Sequence, residues 1–322
     1  MVLHEAAAAV DWVMDKSLFL GYTKIGPAVR RAWWPHDPAP GALVGRHVLV
    51  TGASGGLGLA AARGLARLGA TVHLTGRDAG RLEEARVVLL DEQPLADVAV
   101  HVADVSDLAG TARFARGLAA EVPRLHALVH NAGVMPPQRT TTPEGHELAL
   151  ATHVLGPHVL TLGLRSSLAG GRVVVVTSGG AYGQRLDAED PEYTAGDYSG
   201  VTAYARTKRM QLVLTELWAR DLEADGVRVH SMHPGWAATP GVTDSLPRFA
   251  ALTGPLLRDA DSGADTAVWL AATSDPIGTG GFWHDRRRRS THYAPVGVET
   301  SEQVEQFREF VDEATRGALS EF

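Results

Sequence analysis

The 322-residue chain contains no cysteine, which excludes disulfides, thiolate nucleophiles and zinc sites built on sulfur and leaves the compartment undecided. Long apolar runs are missing too. Segments such as Ala6 to Val10 fall far short of the ~20 residues that a membrane-crossing helix needs. The N-terminus lacks the basic start and continuous apolar core of a signal peptide. Positive charge is not in excess: 30 Lys and Arg against 37 Asp and Glu leave a net −7, which argues against nucleic acid as a partner. A cytoplasmic protein without a membrane span is the expectation. Lysine is the scarcest charged residue, and only Lys16, Lys24 and Lys208 occur.

Lys208 stands four residues after Tyr204, and none of the other tyrosines, six in all, has a lysine at that spacing. In a helix this places ammonium and phenol one turn apart on one face. A phenol that titrates near 10 needs about 4 kcal/mol of preferential anion stabilisation to ionise at neutrality. A cation at about 4 Å under an effective dielectric of ~20 supplies roughly that amount. Lys208 is therefore expected to lower the pKa of Tyr204, unless the two form only a chance surface pair.

From Arg46 onward, strand-length apolar runs alternate with helical patterns, the signature of βαβ units and a parallel sheet covered on both faces. His47 to Thr51, Thr71 to Leu74, Val98 to Val102, Leu125 to His130, Arg172 to Thr177 and Val227 to Met232 read as buried strands. Leu57 to Leu68, Gly80 to Leu90, Leu108 to Glu121, Pro143 to Leu168 and Thr202 to Ala224 read as helices. Gly281-Phe282-Trp283 is a candidate last strand and Ser301 to Gly317 a polar terminal helix. Residues 1–44 form a helical appendage outside the alternation, able to pack on the domain, cover a partner subunit or lie on a membrane surface, and 45–322 form one domain. Arg286 to Arg289 reads as a solvated loop.

Directly after the first strand comes Thr51-Gly-Ala-Ser-Gly-Gly-Leu-Gly58, then a helix, where glycines let a dinucleotide's pyrophosphate approach the backbone. Gly52, Ser54, Gly56, Leu57 and Gly58 are the candidate contacts. Arg77, at the end of the second strand, occupies the place where an acidic residue would hold the ribose hydroxyls of NAD; a guanidinium suits the 2′-phosphate of NADP(H). Asp104, next to Val105, is read either as an acceptor for the adenine amino group or as a helix cap. Fourteen histidines occur, but none is paired at ligand spacing with suitable acids, and no metal is expected.

Together, the loop 51–58, His130-Asn131-Ala132-Gly133, Ser178, Tyr204-Ala-Arg-Thr-Lys208 and Pro234-Gly235 resemble the short-chain dehydrogenase/reductase family. The likeness to one branch of it extends through Tyr22-Thr23-Lys24, Ser231 to Trp236, Gly263 to Thr266 and Ser290-Thr-His292, and so covers nearly the whole chain. The resemblance implies a Rossmann-type doubly wound α/β fold, three-layer αβα, with six or seven strands and helices on both faces. It implies NADP(H)-dependent interconversion of a carbonyl and an alcohol. In that reading Tyr204 is the general acid/base, Lys208 tunes the phenol and holds the nicotinamide ribose, and Ser178 holds the substrate oxygen. Asn131, Ala132, Gly133, Pro234, Gly235 and Thr239 line the cofactor cleft.

Two departures stand out. His153, three residues before Gly156, takes the place of the asparagine that in the family supports a water-mediated proton relay to the lysine. An imidazole can also pass protons, so His153 either keeps the relay or is merely packed. The gap from Ser178 to Tyr204 is about twice the family spacing, and residues 182–200 are expected to form a loop at the cleft mouth. Leu246, Phe249, Leu252, Leu256 and Leu257 suggest a lid over a lipophilic small-molecule substrate, or simply core closure. A non-catalytic NADP-binding sensor or scaffold and a nucleotide-sugar epimerase or dehydratase remain as alternatives, and a homo-oligomer is left open.

Overall fold

The computed structural model describes residues 2–238, 253–293, 297–320 and 322. Val- and Leu-rich runs form β1 (His47–Thr51), β2 (Thr71–Gly76), β3 (Asp97–Val102), β4 (Leu125–His130), β5 (Arg172–Val176) and β6 (Arg228–Met232). They are followed by β7 (Gly281–His284) and β8 (Arg287–Arg289). The sheet order is β3-β2-β1-β4-β5-β6-β7-β8, parallel throughout except for β8 against β7. The order reverses between β1 and β4, so a crevice opens at their carboxyl ends.

Eight strands exceed the expected six or seven, and the extra one is the basic run read as a solvated loop. Its turn consists of Asp285 and Arg286, both at positive φ (51° and 54°), the geometry of a tight two-residue hairpin. Ion pairs hold this unfavourable backbone. Arg286 binds Asp265 at 2.6 Å and Asp37 at 2.5 Å, while Asp285 binds Arg258 at 2.6 Å and Arg30 at 2.7 Å.

Helices cover both faces. On one, α4 (Gly56–Arg67), α5 (Ala79–Glu92) and a helix at Ala260–Ala272 enclose Val48, Val50, Val72, Leu74 and Val174. On the other, α6 (Leu108–Glu121), α7 (Leu148–Leu150, Ala151–Leu155 and Gly156–Gly163), α8 (Gly200–Asp221) and the C-terminal helix Ser301–Leu319 enclose Leu49, Leu128, Val173 and Val229. Following chain order, Ala260–Ala272 is α9 and Ser301–Leu319 is α10. The α10 helix is not merely polar, because Phe307 and Val311 are fully buried. The expected long helix from Pro143 begins only at Leu148, where Glu147 caps it, and runs as α7 through Leu148–Leu150, a π-helical turn at Ala151–Leu155, and Gly156–Gly163.

The N-terminal segment folds as α1 (Val2–Lys16), α2 (Leu18–Tyr22) and α3 (Ile25–Arg30) and packs against the β7–β8 hairpin. Its amphipathicity is inverted. Trp12 is 64% exposed and Val13 and Phe19 are exposed as well, whereas Asp11, Met14 and Tyr22 face inward. Asp11 pairs with Arg30 at 2.8 Å and with Arg289 at 2.6 Å. Among the described residues no helix is long and apolar enough to cross a membrane.

Candidate active site

The crevice between β1 and β4 is lined by the glycine-rich turn. Gly52 has φ +64°, and a Cβ there would lie 2.7 Å from the Ala132 Cα. A Cβ on Gly58 would fall 2.2 Å from the Gly52 carbonyl oxygen, so both positions admit only glycine without movement. Asn131 ties the two strand ends together: its Nδ2 donates to the carbonyls of Thr51 (3.0 Å) and Gly52 (3.2 Å), and its backbone N–H donates to the Thr51 hydroxyl. Ala132 N–H reaches the same hydroxyl, and Gly133 lies against His153. Ser54, Gly56 and Leu57 complete the turn, half-buried.

The α4 N-terminus has no capping side chain, because its N-cap is Gly55. Helices α5, α6, α8, α9 and α10 each carry one, from Asp78, Asp107, Ser199, Asp259 and Thr300. The uncapped N–H groups at a glycine cradle fit a pyrophosphate, which the dipole and the orphan donors favour. Arg77 is exposed at the end of β2. Arg81, which sequence reasoning passed over, brings its guanidinium within 3.8 Å of where a Gly55 Cβ would sit. Its position four residues after Arg77 was the available signal. Asp104 does not cap a helix: one carboxylate oxygen accepts from the Ser106 N–H (2.9 Å) and hydroxyl (2.7 Å), and Asp107 supplies the α6 cap. Val105, beside it, is buried.

Deeper in the cleft, Ser178 follows β5 by two residues, and Tyr204 and Lys208 share one face of α8. The Lys208 ammonium lies 5.3 Å from the centre of the Tyr204 ring and donates to the Val176 carbonyl (2.9 Å) and Gln211 Oε1 (3.1 Å). Burial lowers the Lys208 pKa to about 7. The Tyr204 phenol departs from the expectation. Burial raises its pKa above the ordinary 10, and a hydrogen bond with Ser178 opposes that rise without overcoming it. Desolvation of the phenolate, which the i,i+4 spacing alone does not reveal, dominates here.

His153 stands in the π-helical turn, its ring edge-on to Tyr204 with centroids 5.5 Å apart. Nε2 accepts from the Val134 N–H at 3.0 Å, so in the neutral ring Nδ1 carries the proton and donates to the Thr207 hydroxyl at 2.7 Å. Burial, then the nearby Lys208 charge, hold its pKa well below the usual 6.5. Both ring nitrogens are thus occupied.

The N-terminal segment reaches the substrate side. A Cβ on Gly179, the residue after Ser178, would lie 2.4 Å from the Tyr22 ring. Tyr22 also stacks on His233 at 4.6 Å, meets Trp236 edge-on at 6.0 Å, and shares a 3.1 Å hydrogen bond with the Tyr293 hydroxyl. Its carbonyl accepts from the Trp236 N–H (2.7 Å) and from Arg258 Nε (3.0 Å), which fixes the Pro234-Gly235-Trp236 loop against it. Nothing in local sequence could signal these contacts, as every partner of Tyr22 named here lies more than one hundred and fifty residues away. The 182–200 insertion is anchored: Glu192 accepts from His146 and from the Glu147 N–H, the Tyr198 hydroxyl donates to Glu147, and Arg206 pairs with Asp187. Thr239, Leu246, Phe249 and Leu252 lie outside the described residues. Leu257 is buried and Leu256 half-buried.

A family profile described as short chain dehydrogenase matches residues 46–248. The chain is 38% identical over 291 residues to dehydrogenase/reductase SDR family member 12 of Homo sapiens, covering 88% of this chain and 90% of that protein. It is 33% identical over 304 residues to retinol dehydrogenase 14 of Mus musculus, covering 87% and 89%. A solved NAD(P)-dependent protein from Beutenbergia cavernae with bound NADP at low occupancy superposes with a TM-score of 0.61 at 28% identity, covering 76% of this chain and 96% of that one. The chain belongs to the short-chain dehydrogenase/reductase family, oxidoreductases that interconvert an alcohol and a carbonyl with a nicotinamide cofactor.

Proposed function

We propose that the protein is an NADP(H)-dependent reductase of lipophilic carbonyl compounds with Tyr204 as its general acid. The observation that carries this reading is the Ser178–Tyr204–Lys208 cluster, with Lys208 buried and Ser178 and Tyr204 half-buried, on the same chain as an uncapped, glycine-cradled helix N-terminus. NADPH, when bound, supplies the hydride. Gly52, Gly58 and the α4 N-terminus would hold its pyrophosphate, and Arg77 and Arg81 its 2′-phosphate.

Ser178 orients the substrate oxygen, and Tyr204 gives its phenolic proton to that oxygen as the carbonyl carbon is reduced. Burial keeps the phenol protonated at neutral pH, which makes the resting side chain the acid that the reductive direction needs. Lys208, when charged, stabilises the phenolate left behind. Because its pKa is about 7, reductive kcat/KM is expected to fall as pH rises through neutrality. Tyr22, Tyr182, Tyr293 and Trp236 wall the substrate side with rings, which supports an apolar substrate. A cytoplasmic workplace belongs to the same reading and is checked by fractionating cells that express the protein.

The test is oxidation of NADPH with a panel of aldehydes and ketones, wild type against Tyr204→Phe. Turnover is expected to drop by about 10²–10⁴-fold. Undiminished activity of the variant removes Tyr204 from this role.

A further inference from the structure

Lys208 is only 3% exposed, two acceptors take two of its three N–H groups, and one of these acceptors has no counterpart in the reading above. Gln211, one turn further along α8 and 2% exposed, accepts from the ammonium through Oε1 at 3.1 Å. Its Nε2 donates to the His153 carbonyl at 2.9 Å. The orientation of this amide is chemically determined: an ammonium can only donate and a carbonyl can only accept. Gln211 therefore spans Lys208 and the π-helical turn with one acceptor and one donor, both used.

We propose that Gln211 is the positioning residue for Lys208, fixing the ammonium beneath Tyr204 and stabilising its charged form. The inference rests on the reading of Lys208 as part of the reductive site. The titratable groups facing Lys208 among the described residues are Tyr204 on its own helix and His153 on the π-helical turn; β5 offers only the Val176 carbonyl. His153 is held neutral, so its contribution is the fixed carbonyl rather than a charge. A carboxamide neither gains nor loses a proton near neutrality, so it holds the amine without exchanging protons with it. Its partial negative oxygen favours the ammonium over the amine, and removing it leaves only the Val176 carbonyl to offset desolvation of the charge.

The scarcity of lysine provides a measurement that does not depend on turnover. In protein labelled with ¹³C-lysine only Lys16, Lys24 and Lys208 report, and the Cε shift of each follows its ionisation. The Lys208 signal, assigned by its loss in Lys208→Arg, is expected to titrate near 7 in the wild type. In Gln211→Leu, similar in volume and without an acceptor, the midpoint should move down by about one pH unit, a tenfold change in the ionisation ratio. In Gln211→Glu, which puts a carboxylate beside the ammonium, it should move up by at least as much. The bend in the reductive pH–rate profile should move in the same two directions. Gln211→Asn, one methylene short, serves if either variant does not fold and should behave like Gln211→Leu. Midpoints unmoved in folded variants overturn the inference. Midpoints that move in a protein without turnover on any carbonyl overturn the catalytic reading and leave Gln211 as the partner of Lys208.

Discussion

The sheet core and the N-terminal clamp are both closed to water, but different forces hold them. Around the sheet, Leu49, Leu128, Leu160, Val173 and their neighbours pack by shape and area, so each contributes locally. In the clamp, Arg30, Arg258 and Arg289 are matched against Asp11 and Asp285, with His284 wedged between them. Apolar packing degrades in small steps. A buried charge set does not, because removing one member strands the others in a medium that solvates them poorly. The difference also separates duties. The apolar core carries the crevice for the nucleotide, whereas the clamp seats Tyr22 against Gly179 and so closes the substrate side.

Asp285→Ala should break this comparison most severely. It leaves Arg30 and Arg258 without their shared carboxylate, and a loss of about 3–5 kcal/mol is expected in urea unfolding. Leu160→Ala in the core should cost about 2–5 kcal/mol through its cavity while leaving the clamp intact. The regions should differ in limited proteolysis, with release of the first thirty residues in Asp285→Ala only. A clamp variant as stable as the wild type would show that the network adds nothing net.

Acid should strike both regions next. Burial holds His73 on β2 at about 4 and His130 on β4 at about 3, and keeps His233 and His284 in the clamp well below 6.5. These folded-state values lie below the unfolded 6.5, so the folded protein binds fewer protons. The stability from keeping these rings neutral is complete above pH 6.5 and is lost as pH falls toward the folded values. His73 is further disfavoured as a cation by its hydrogen-bonded neighbours His47 (3.0 Å) and His101 (2.9 Å). Thermal unfolding followed between pH 7 and 4.5 should show a steeply falling midpoint with uptake of several protons. A flat profile would contradict neutral burial of these rings.

Tyr22→Phe should have the smallest effect. It removes only the hydroxyl contact with Tyr293 and keeps the ring against Gly179 and His233, so about 1 kcal/mol of stability is expected to go, with kcat nearly unchanged. A large fall in kcat would mean that the hydroxyl, not the ring, positions the Ser178 turn.

The fold could be read from the sequence where its causes are local. Runs such as Arg172–Val176 announce buried parallel strands, the glycine spacing announces the β1–α4 turn, and Tyr204 with Lys208 is a matter of helical pitch. Where several distant partners decide, it could not. Arg286 and Arg289 look like solvated charges until Asp11, Asp37 and Asp265 arrive from elsewhere to neutralise them. The rise of the Tyr204 pKa was hidden for the same reason, since it depends on how much water the assembled cleft excludes. The hydrogen bond from Gln211 to the His153 carbonyl joins two helices 58 residues apart in sequence, which helical spacing cannot announce. Asp104 was misread as a possible cap because Asp107, three residues on, competes for the same task with better geometry.

The order in which the clamp is synthesised has a further consequence. Arg30 meets Asp285 across 255 positions and Asp11 meets Arg289 across 278, so the first helices leave the ribosome long before their partners exist. At about 5–20 residues per second, roughly 13–56 seconds pass between the members of each pair. During that interval the nascent segment shows Trp12, Val13 and Phe19 on one side, and on the other Asp11 and Arg30 have only each other, without Arg289 and Asp285. A polypeptide ending after β6 would hold its nucleotide crevice yet lack the hairpin residues that seat the segment carrying Tyr22, so that wall of the cleft is completed only once β7 and β8 have emerged.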